Sequence, residues 1–479
     1  MVEAARSPGP QPRRHGPLTR PPSRGRYPMP GAPRRNPARL LRTMDPSERV
    51  AAMLVKLFGE NFGPFKEPFE LSMEAMDLPT EGERGYFEVP IEGQDKPLKL
   101  LRLAAIYGPN ASGKSTIIKA ARALEAMVVD SASDFKPGRP IPVYRPFALA
   151  RSMTKAPSTL GAEVVVGNRI MQYTVSFTGS AVVGERIADV SDEVDKVWLQ
   201  REGQDIRIDA SHLQGLTIDL KEVTRKNAAA LSMAALNNQT ALAPLHKALD
   251  MALCAVSADT RGALGYSLGR IHDDEAVKRW AMDRFITRAD IGIIDIETEL
   301  RDVPDDFFAE RGMTREEAAE KFGDDTMHMV RAQFKHRGAD DDFELDWREE
   351  SEGTLKMLAL AGPWYEVTHL GLTVFVDEMT ASLHEDLVTA LLEAFNAPPS
   401  ERASQMIFTT HDTTPMERVL RRDQVYFTEK KADGSSVLFS LGDFKDRAEH
   451  NIRKRYLQGR YGAIPRAVTF GGLFSNGED

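Results

Sequence analysis

Apolar residues recur along this chain with two different periods, and the changes of period divide it. "MLVKLFGENFGPFKEPFELSM", from Met53, holds short apolar runs broken by Gly59 and by Gly63-Pro64, which predicts paired strands. "LKLLRLAAIYG" (Leu98 to Gly108) is a dense apolar run ending in glycine, the pattern of a buried strand. "KSTIIKAARALEAMV" then takes helical spacing. Between roughly residues 140 and 210 the pattern is strand-like again, in "AEVVVG", "IMQYTVSF" and "VWLQREGQDIRIDA", with glycine turns between. Over 216–345 the character changes. "AAALSMAALNNQTALAPLHKALDMAL" and "REEAAEKFGDDTMHMVRAQF" predict helices with polar faces. From Leu355 helix and strand alternate through "LTVFVDE", "DLVTALLEAF" and "QMIFTTH", the order of a parallel sheet with covering helices. The predicted class is α/β. Residues 44–215 and 346–479 are expected to form one body, with a compact helical lobe inserted over 216–345 that lacks the sustained heptads of a long coiled-coil arm.

Composition changes the picture at the N-terminus. Residues 1–43 carry ten Arg, no Lys, one acid (Glu3) and ten prolines, a net +9 in a chain of 479 residues whose total is −9. Such a segment cannot bury enough apolar surface to fold, so it is expected to be a disordered Arg/Pro-rich extension. A nucleic-acid-binding arm and a targeting peptide are weighed against an extension upstream of a start at Met29 or Met44; the last is expected, and a secretory signal is disfavoured by the lack of an apolar stretch. The acidic remainder argues against broad coating of DNA, though not against a local basic groove. No run of 18 or more apolar residues is present, so no membrane span is expected. The single cysteine, Cys254, excludes an internal disulfide framework and fits a reducing cytoplasm.

The candidate chemistry begins with "GPNASGKST". Gly108, Pro109, Asn110, Ala111, Ser112, Gly113, Lys114 and Ser115 match G-x-x-x-x-G-K-[ST], after a predicted strand and opening a predicted helix, with Thr116 next. Glycines let successive N–H groups aim at one anion, and the helix adds its positive end. Lys114 can reach the β- and γ-phosphates, and the Ser115 hydroxyl can hold Mg²⁺. Asp377-Glu378 close a second apolar strand. Asp377 is placed to bind Mg²⁺ directly or through water, and Glu378 to orient and deprotonate an attacking water. His411 follows two threonines at the end of a third, where it can sense a γ-phosphate. Acid pairs and lone histidines are often structural; the phosphate loop tips both readings towards chemistry. The acidic stretch Ala339 to Asp346 is read as a solvated loop, not a metal cluster.

One further stretch needs explanation: "EESEGTLKMLAL" (Glu349 to Leu360), where acids and a serine lead through a glycine into a helix. Gly108–Ser115, then Ser351-Glu-Gly-Thr354 at a helix start, then Asp377-Glu378 followed by "ASLH", then "TTH" at 409–411 resembles the ordered motif set of ABC-type ATPases. In particular it resembles bacterial AAA family ATPases with heads like those of SMC, RecF and OLD proteins; "FGENFGPFKEPFELS" and "YLQGRYGAIP" resemble the flanks of that group, so the likeness spans roughly residues 51–465. The resemblance implies a P-loop ABC-type head, a mixed sheet with covering helices, that binds ATP and Mg²⁺ and hydrolyses ATP. It implies that Ser351 and Gly353 face the nucleotide of a second subunit, in a homodimer or higher homo-oligomer. Glu352 would sit beside an anion, so its side chain is expected to turn away or to cap the helix. The glutamine that such proteins carry after the phosphate loop is missing from the corresponding "YRPFALARSM" (Tyr144 to Met153).

The resemblance also implies nucleic-acid transactions, often in phage defence beside Toprim-type nucleases. Only 68 residues follow His411, against on the order of 100 for a Toprim domain, so a nuclease partner is expected as a separate chain. Arg225 and Lys226 are weak grounds for DNA contact. Two other functions stay open on sequence: a DNA repair or chromosome-maintenance ATPase of RecF/SMC type, and a nucleotide-gated scaffold with negligible turnover.

Overall fold

The computed structural model describes residues 52–464 except 79–83, 257–259, 290–291, 310–311, 323–327, 398–402 and 445–450; the expected extension over 1–43 lies outside the described residues. Two sheets organise most of the chain. The first is antiparallel and seven-stranded, in the order β10-β9-β8-β7-β6-β1-β2. Its members are β1 (Leu54–Glu60), β2 (Phe69–Ser72), β6 (Ser158–Val166), β7 (Arg169–Phe177), β8 (Val182–Asp189), β9 (Lys196–Glu202) and β10 (Asp205–Ile208). The strand pair expected from Met53 onward is β1–β2, and the three strand-like stretches between 140 and 210 fall on β6, β7 and β9–β10. β3 (Tyr86–Val89) and β4 (Leu98–Leu101) form a separate antiparallel pair.

The second sheet is mixed and six-stranded, in the order β11-β15-β16-β5-β17-β18. It consists of β5 (Leu103–Tyr107), β11 (Cys254–Val256), β15 (Thr373–Val376), β16 (Gln405–Thr409), β17 (Val425–Lys430) and β18 (Ser436–Ser440). All its neighbours are parallel except β17–β18. Every residue of β5, β15 and β16 is buried, which is why these strands read as continuous apolar runs and not as alternating ones. Parallel pairing brings the C-terminal ends of β5, β15 and β16 to one edge: Val376 pairs with Phe408, and Thr409 with Ile106. Buried Gln405 ties the two sheets together. Its amide group donates to the Leu54 and Leu101 carbonyls, and its Oε1 accepts from the Leu54 N–H and the Thr373 hydroxyl.

The helices are α1 (Lys114–Glu125), α2 (Leu220–Val223), α3 (Ala230–Leu236), α4 (Ala243–Ala252), α5 (Thr260–Asp273), α6 (Glu275–Trp280), α7 (Asp305–Ala309), α8 (Arg315–Phe322), α9 (Glu352–Leu370), α10 (Glu385–Asn396), α11 (Pro415–Arg418) and α12 (Ile452–Leu457). α9 carries Pro363 within it. A proline there has no N–H for the carbonyl four residues back, that of Ala359. Ser267 of α5 fills the gap, its hydroxyl donating to the Ala359 carbonyl at 2.9 Å while accepting from the Gly362 N–H at 3.0 Å. The approach needs Gly362, because a Cβ there would lie 2.9 Å from the Ser267 Cα.

Segment 216–345 corrects the expectation of a purely helical lobe. α2–α6 are helical, but β11 belongs to the main sheet, and β12 (Ile293–Asp302), β13 (His328–His336) and β14 (Phe343–Asp346) form a three-stranded sheet. The stretch read as one helix from Arg315 is α8 followed by β13. The signal passed over there is period two: Ala332 and Phe334 are buried while Arg331, Gln333 and Lys335 between and beside them are not. The chain divides into two compact units. One takes in Arg301–Met329, whose described residues hold α7 and α8, packed through Val303, Phe308 and Ala318.

A buried polar knot anchors the start of α3. The Glu185 carboxylate of β8 accepts from the Ala230 and Leu231 N–H groups at 2.7 and 3.0 Å, from the Tyr173 hydroxyl at 3.0 Å, and from Arg201 at 3.4 Å. It satisfies orphan amides at the helix start with a charge of the favourable sign.

Candidate functional site

β5 runs into a loop whose backbone takes left-handed φ at Gly108 (150°), Ala111 (60°) and Gly113 (108°) before α1 begins at Lys114. Gly108 also sits under a steric ceiling: a Cβ there would lie 2.4 Å from the Thr428 carbonyl of β17. β17 braces the loop a second time, through the Ser112 and Thr428 hydroxyls 2.6 Å apart. Lys114 is only 7% exposed and folds back on the loop, donating to the Gly108 and Pro109 carbonyls at 2.8 and 3.0 Å. Burial pushes its ammonium below the ordinary lysine value, against the nearby negative charges of Glu378 and Asp377.

The acid pair follows β15 directly. Asp377 Oδ1 accepts from the Ser115 hydroxyl at 2.9 Å and from the Thr409 hydroxyl at 2.6 Å. Glu378 is exposed, with φ at +48°, a conformation that non-glycine residues rarely take. Its N–H donates to Thr409 Oγ1 at 2.8 Å, and the next amide, Met379, donates to the Thr409 carbonyl. Thr380 and Thr410 hydroxyls meet at 2.7 Å. Thr409 and Thr410, buried between the acid pair and His411, are the residues that sequence reading passed over as chemistry. The doubled threonine in "TTH" was visible, but strand pairing was needed to show what it faces. His411 is exposed beyond the end of β16. Partial burial and then the Lys114 charge lower its pKa below the ordinary histidine value, with Glu378 opposing.

The opening turn of α9 carries the serine–glycine motif. Ser351 is the N-cap, its hydroxyl accepting from the Thr354 N–H at 3.1 Å. Ser351 and Glu352 are exposed. Gly353 packs on the loop that follows the acid pair, where a Cβ would lie 2.9 Å from the Ser382 carbonyl. Its φ is not left-handed, so close approach, and not conformation, is what calls for glycine here. Glu352 does not cap the helix; its carboxylate lies 3.5 Å from the Ser382 hydroxyl. One turn deeper, Lys356 is 6% exposed, its ammonium pushed down by burial and supported by the charges of Glu378 and Asp377.

Tyr144–Met153, the glutamine-free segment that corresponds to where the resembled family carries its glutamine, reaches the loop helix through residues 61–63. Phe147 N–H donates to Asn61 Oδ1, Gly63 N–H donates to the Arg145 carbonyl, and a Cβ on Gly63 would lie 2.8 Å from Thr116.

The donor chemistry of the cluster suits a hard divalent cation beside phosphates. One hydroxyl and one carboxylate, Ser115 and Asp377, converge, and an ammonium stands next to them. Among the described residues no group of three or more His, Cys, Asp or Glu could hold a metal by itself, so oxygens of the ligand and water would have to complete the shell.

Residues 103–416 match the family described as "AAA domain, putative AbiEii toxin, Type IV TA system". The chain belongs to this AAA-domain family. The match begins with β5, ends within α11, and so takes in the loop, the acid pair and His411 of the AAA domain. No protein of curated function matches the sequence. Solved structures similar to it include the SmcHead bound to the C-winged helix domain of ScpA (14% identity, TM-score 0.45, 81% of this chain and 98% of the other). The SMC head domain from Thermotoga maritima has 14% identity, TM-score 0.35 and coverage of 81% and 98%. An Smc head domain with an extended coiled coil, bound to the C-terminal domain of ScpA and derived from Pyrococcus furiosus, has 12% identity, TM-score 0.40 and coverage of 81% and 97%. Among the described residues no helix of the AAA-domain chain is long and apolar enough to cross a membrane.

Proposed function

We propose that this chain is an ABC-type ATPase head that binds ATP with Mg²⁺, closes on a second copy around the nucleotide, and uses hydrolysis to gate a nuclease or toxin partner in phage defence. The observation that carries the ATPase reading is the 2.9 Å contact between Ser115 and Asp377, which lie 262 residues apart in sequence. It joins a loop built for phosphates to an acid pair at the same sheet edge, where ligands of parallel α/β sheets gather.

Each side chain then has a task. Lys114 exchanges its loop carbonyls for phosphate oxygens and balances their charge. Ser115 and Asp377 hold Mg²⁺, which when bound neutralises charge developing on the phosphates. Glu378, exposed and next to Asp377, takes a proton from the attacking water. His411, exposed beyond the end of β16, can donate a ring N–H to the transferred phosphoryl group. The α9 tip, exposed at Ser351 and Glu352, has the polarity that attracts an anion and closes the pocket of the second copy. The defence reading is supported by the family's description, which names a toxin of a type IV toxin–antitoxin system. A separate Toprim-type chain is the partner we favour.

The test is turnover and binding in parallel. Glu378→Gln is expected to retain ATP while cutting turnover at least ~100-fold, and Lys114→Ala to lose nucleotide binding. Parental turnover in Glu378→Gln contradicts the assignment of the base. Stimulation by DNA without any partner chain would favour a repair ATPase, and ATP binding without turnover a scaffold.

A further inference from the structure

We propose that Thr409 is a positioning residue for the Asp377–Glu378 pair, an inference that rests on the ATPase reading above. Its hydroxyl is fully buried and makes two bonds of defined direction. Glu378 N–H donates to Thr409 Oγ1 at 2.8 Å, so the oxygen is an acceptor there, and the single hydroxyl proton is free to be donated to Asp377 Oδ1 at 2.6 Å. One atom thus fixes the carboxylate of the first acid and the backbone of the second. The Thr409 carbonyl takes the Met379 N–H as well, so three successive residues hang on this one position.

The backbone explains why such a strap is needed. Glu378 leaves the strand at φ +48°, a conformation that non-glycine residues rarely take and that surrounding contacts must hold. In that conformation its amide points out of the strand ladder and at β16 instead. Without the hydroxyl the amide has no acceptor there, and the turn can relax. The carboxylate of Glu378, one side chain further out and exposed, would lose the direction in which it faces the pocket. A shift of about 1 Å in a catalytic group can cost on the order of a hundred-fold in rate. Thr409 touches no reacting atom; it acts through its two neighbours.

Thr409→Val removes the hydroxyl and keeps the branched shape, Thr409→Ser keeps the hydroxyl, and Thr409→Cys keeps the size with a weak donor. The full-length chain carrying each is compared with the parent and with Glu378→Gln in steady-state ATPase assays, fluorescent-ATP binding, and hydrogen–deuterium exchange over residues 377–382. The expected result is a kcat lowered about 10- to 100-fold in Thr409→Val, nucleotide affinity within about three-fold of the parent, Thr409→Ser close to the parent, and Thr409→Cys between. Exchange at Glu378 and Met379 is expected to rise in Thr409→Val even without nucleotide. Unchanged exchange, or parental kcat in Thr409→Val, overturns the proposal; if Thr409→Val does not fold, parental kcat in Thr409→Cys overturns it. A parental chain with no turnover sensitive to Glu378→Gln would instead overturn the ATPase reading, while the exchange result still decides whether Thr409 holds the turn.

Discussion

Replacing Gly353 by alanine sets two effects of known size against each other. At a helix position with ordinary φ, alanine is favoured over glycine by up to about 1 kcal/mol. Here the added Cβ would lie 2.9 Å from the Ser382 carbonyl, closer than side-chain carbons approach a backbone oxygen, and a carbonyl cannot rotate away as a flexible side chain can. Overpacking of this kind costs about 1–3 kcal/mol. The balance is a loss of up to ~2 kcal/mol, and relief requires the loop Asp377–Ser382 or the tip of α9 to move. Either movement disturbs Glu378, so turnover is expected to fall about ten-fold or more, beyond what the stability change explains. Thermal unfolding without nucleotide gives the sign of the first effect and steady-state ATPase the second. A Gly353→Ala chain that melts higher than the parent and turns over at the parental rate would refute the close approach as the reason for glycine.

Three further outcomes follow from the geometry. Ser267→Ala leaves the buried Ala359 carbonyl without the donor that replaces the missing Pro363 N–H, and is expected to cost about 1–3 kcal/mol in denaturant unfolding; unchanged stability would show that α9 adjusts around its proline. Glu185→Ala strands Arg201, which is fully buried with it, and the Ala230 and Leu231 amides, and is expected to destabilise by about 3–5 kcal/mol; a loss under about 1 kcal/mol, measured the same way, would contradict the anchoring role. The His411 imidazole has a folded-state pKa below 6.5, so it charges only at a lower pH than it does in the unfolded chain, and NMR titration of its ring should place the midpoint below 6.5; a midpoint above 6.5 would mean that Glu378 outweighs burial and Lys114.

Legibility in the sequence followed the range of the interactions. β5, β15 and β16 could be read because strands buried on both faces are apolar without interruption, and the phosphate loop because glycines at positive φ, lysine and serine are local in sequence. β13 reads as helix in the sequence because Arg331, Gln333 and Lys335 hide a short alternating pattern behind an acidic helical stretch. β11 is three residues long and follows α4 almost at once, leaving too little sequence to carry a period. The hydroxyl of Thr409 and the amide of Gln405 act between strands far apart in the chain, and no local pattern marks a threonine or glutamine that a distant backbone will need.

If each pocket is completed by the α9 tip of another copy, two chains damaged on opposite sides of the pocket must complement each other. Chains carrying Lys114→Ala and chains carrying Ser351→Arg are each expected to be inactive alone. Mixed in equal amounts, half of the dimers pair one with the other, and each of those holds one pocket with both residues intact, so the mixture should recover up to about a quarter of the parental ATPase rate. No recovery in mixtures shown by mass to contain the mixed dimer would contradict the shared pocket.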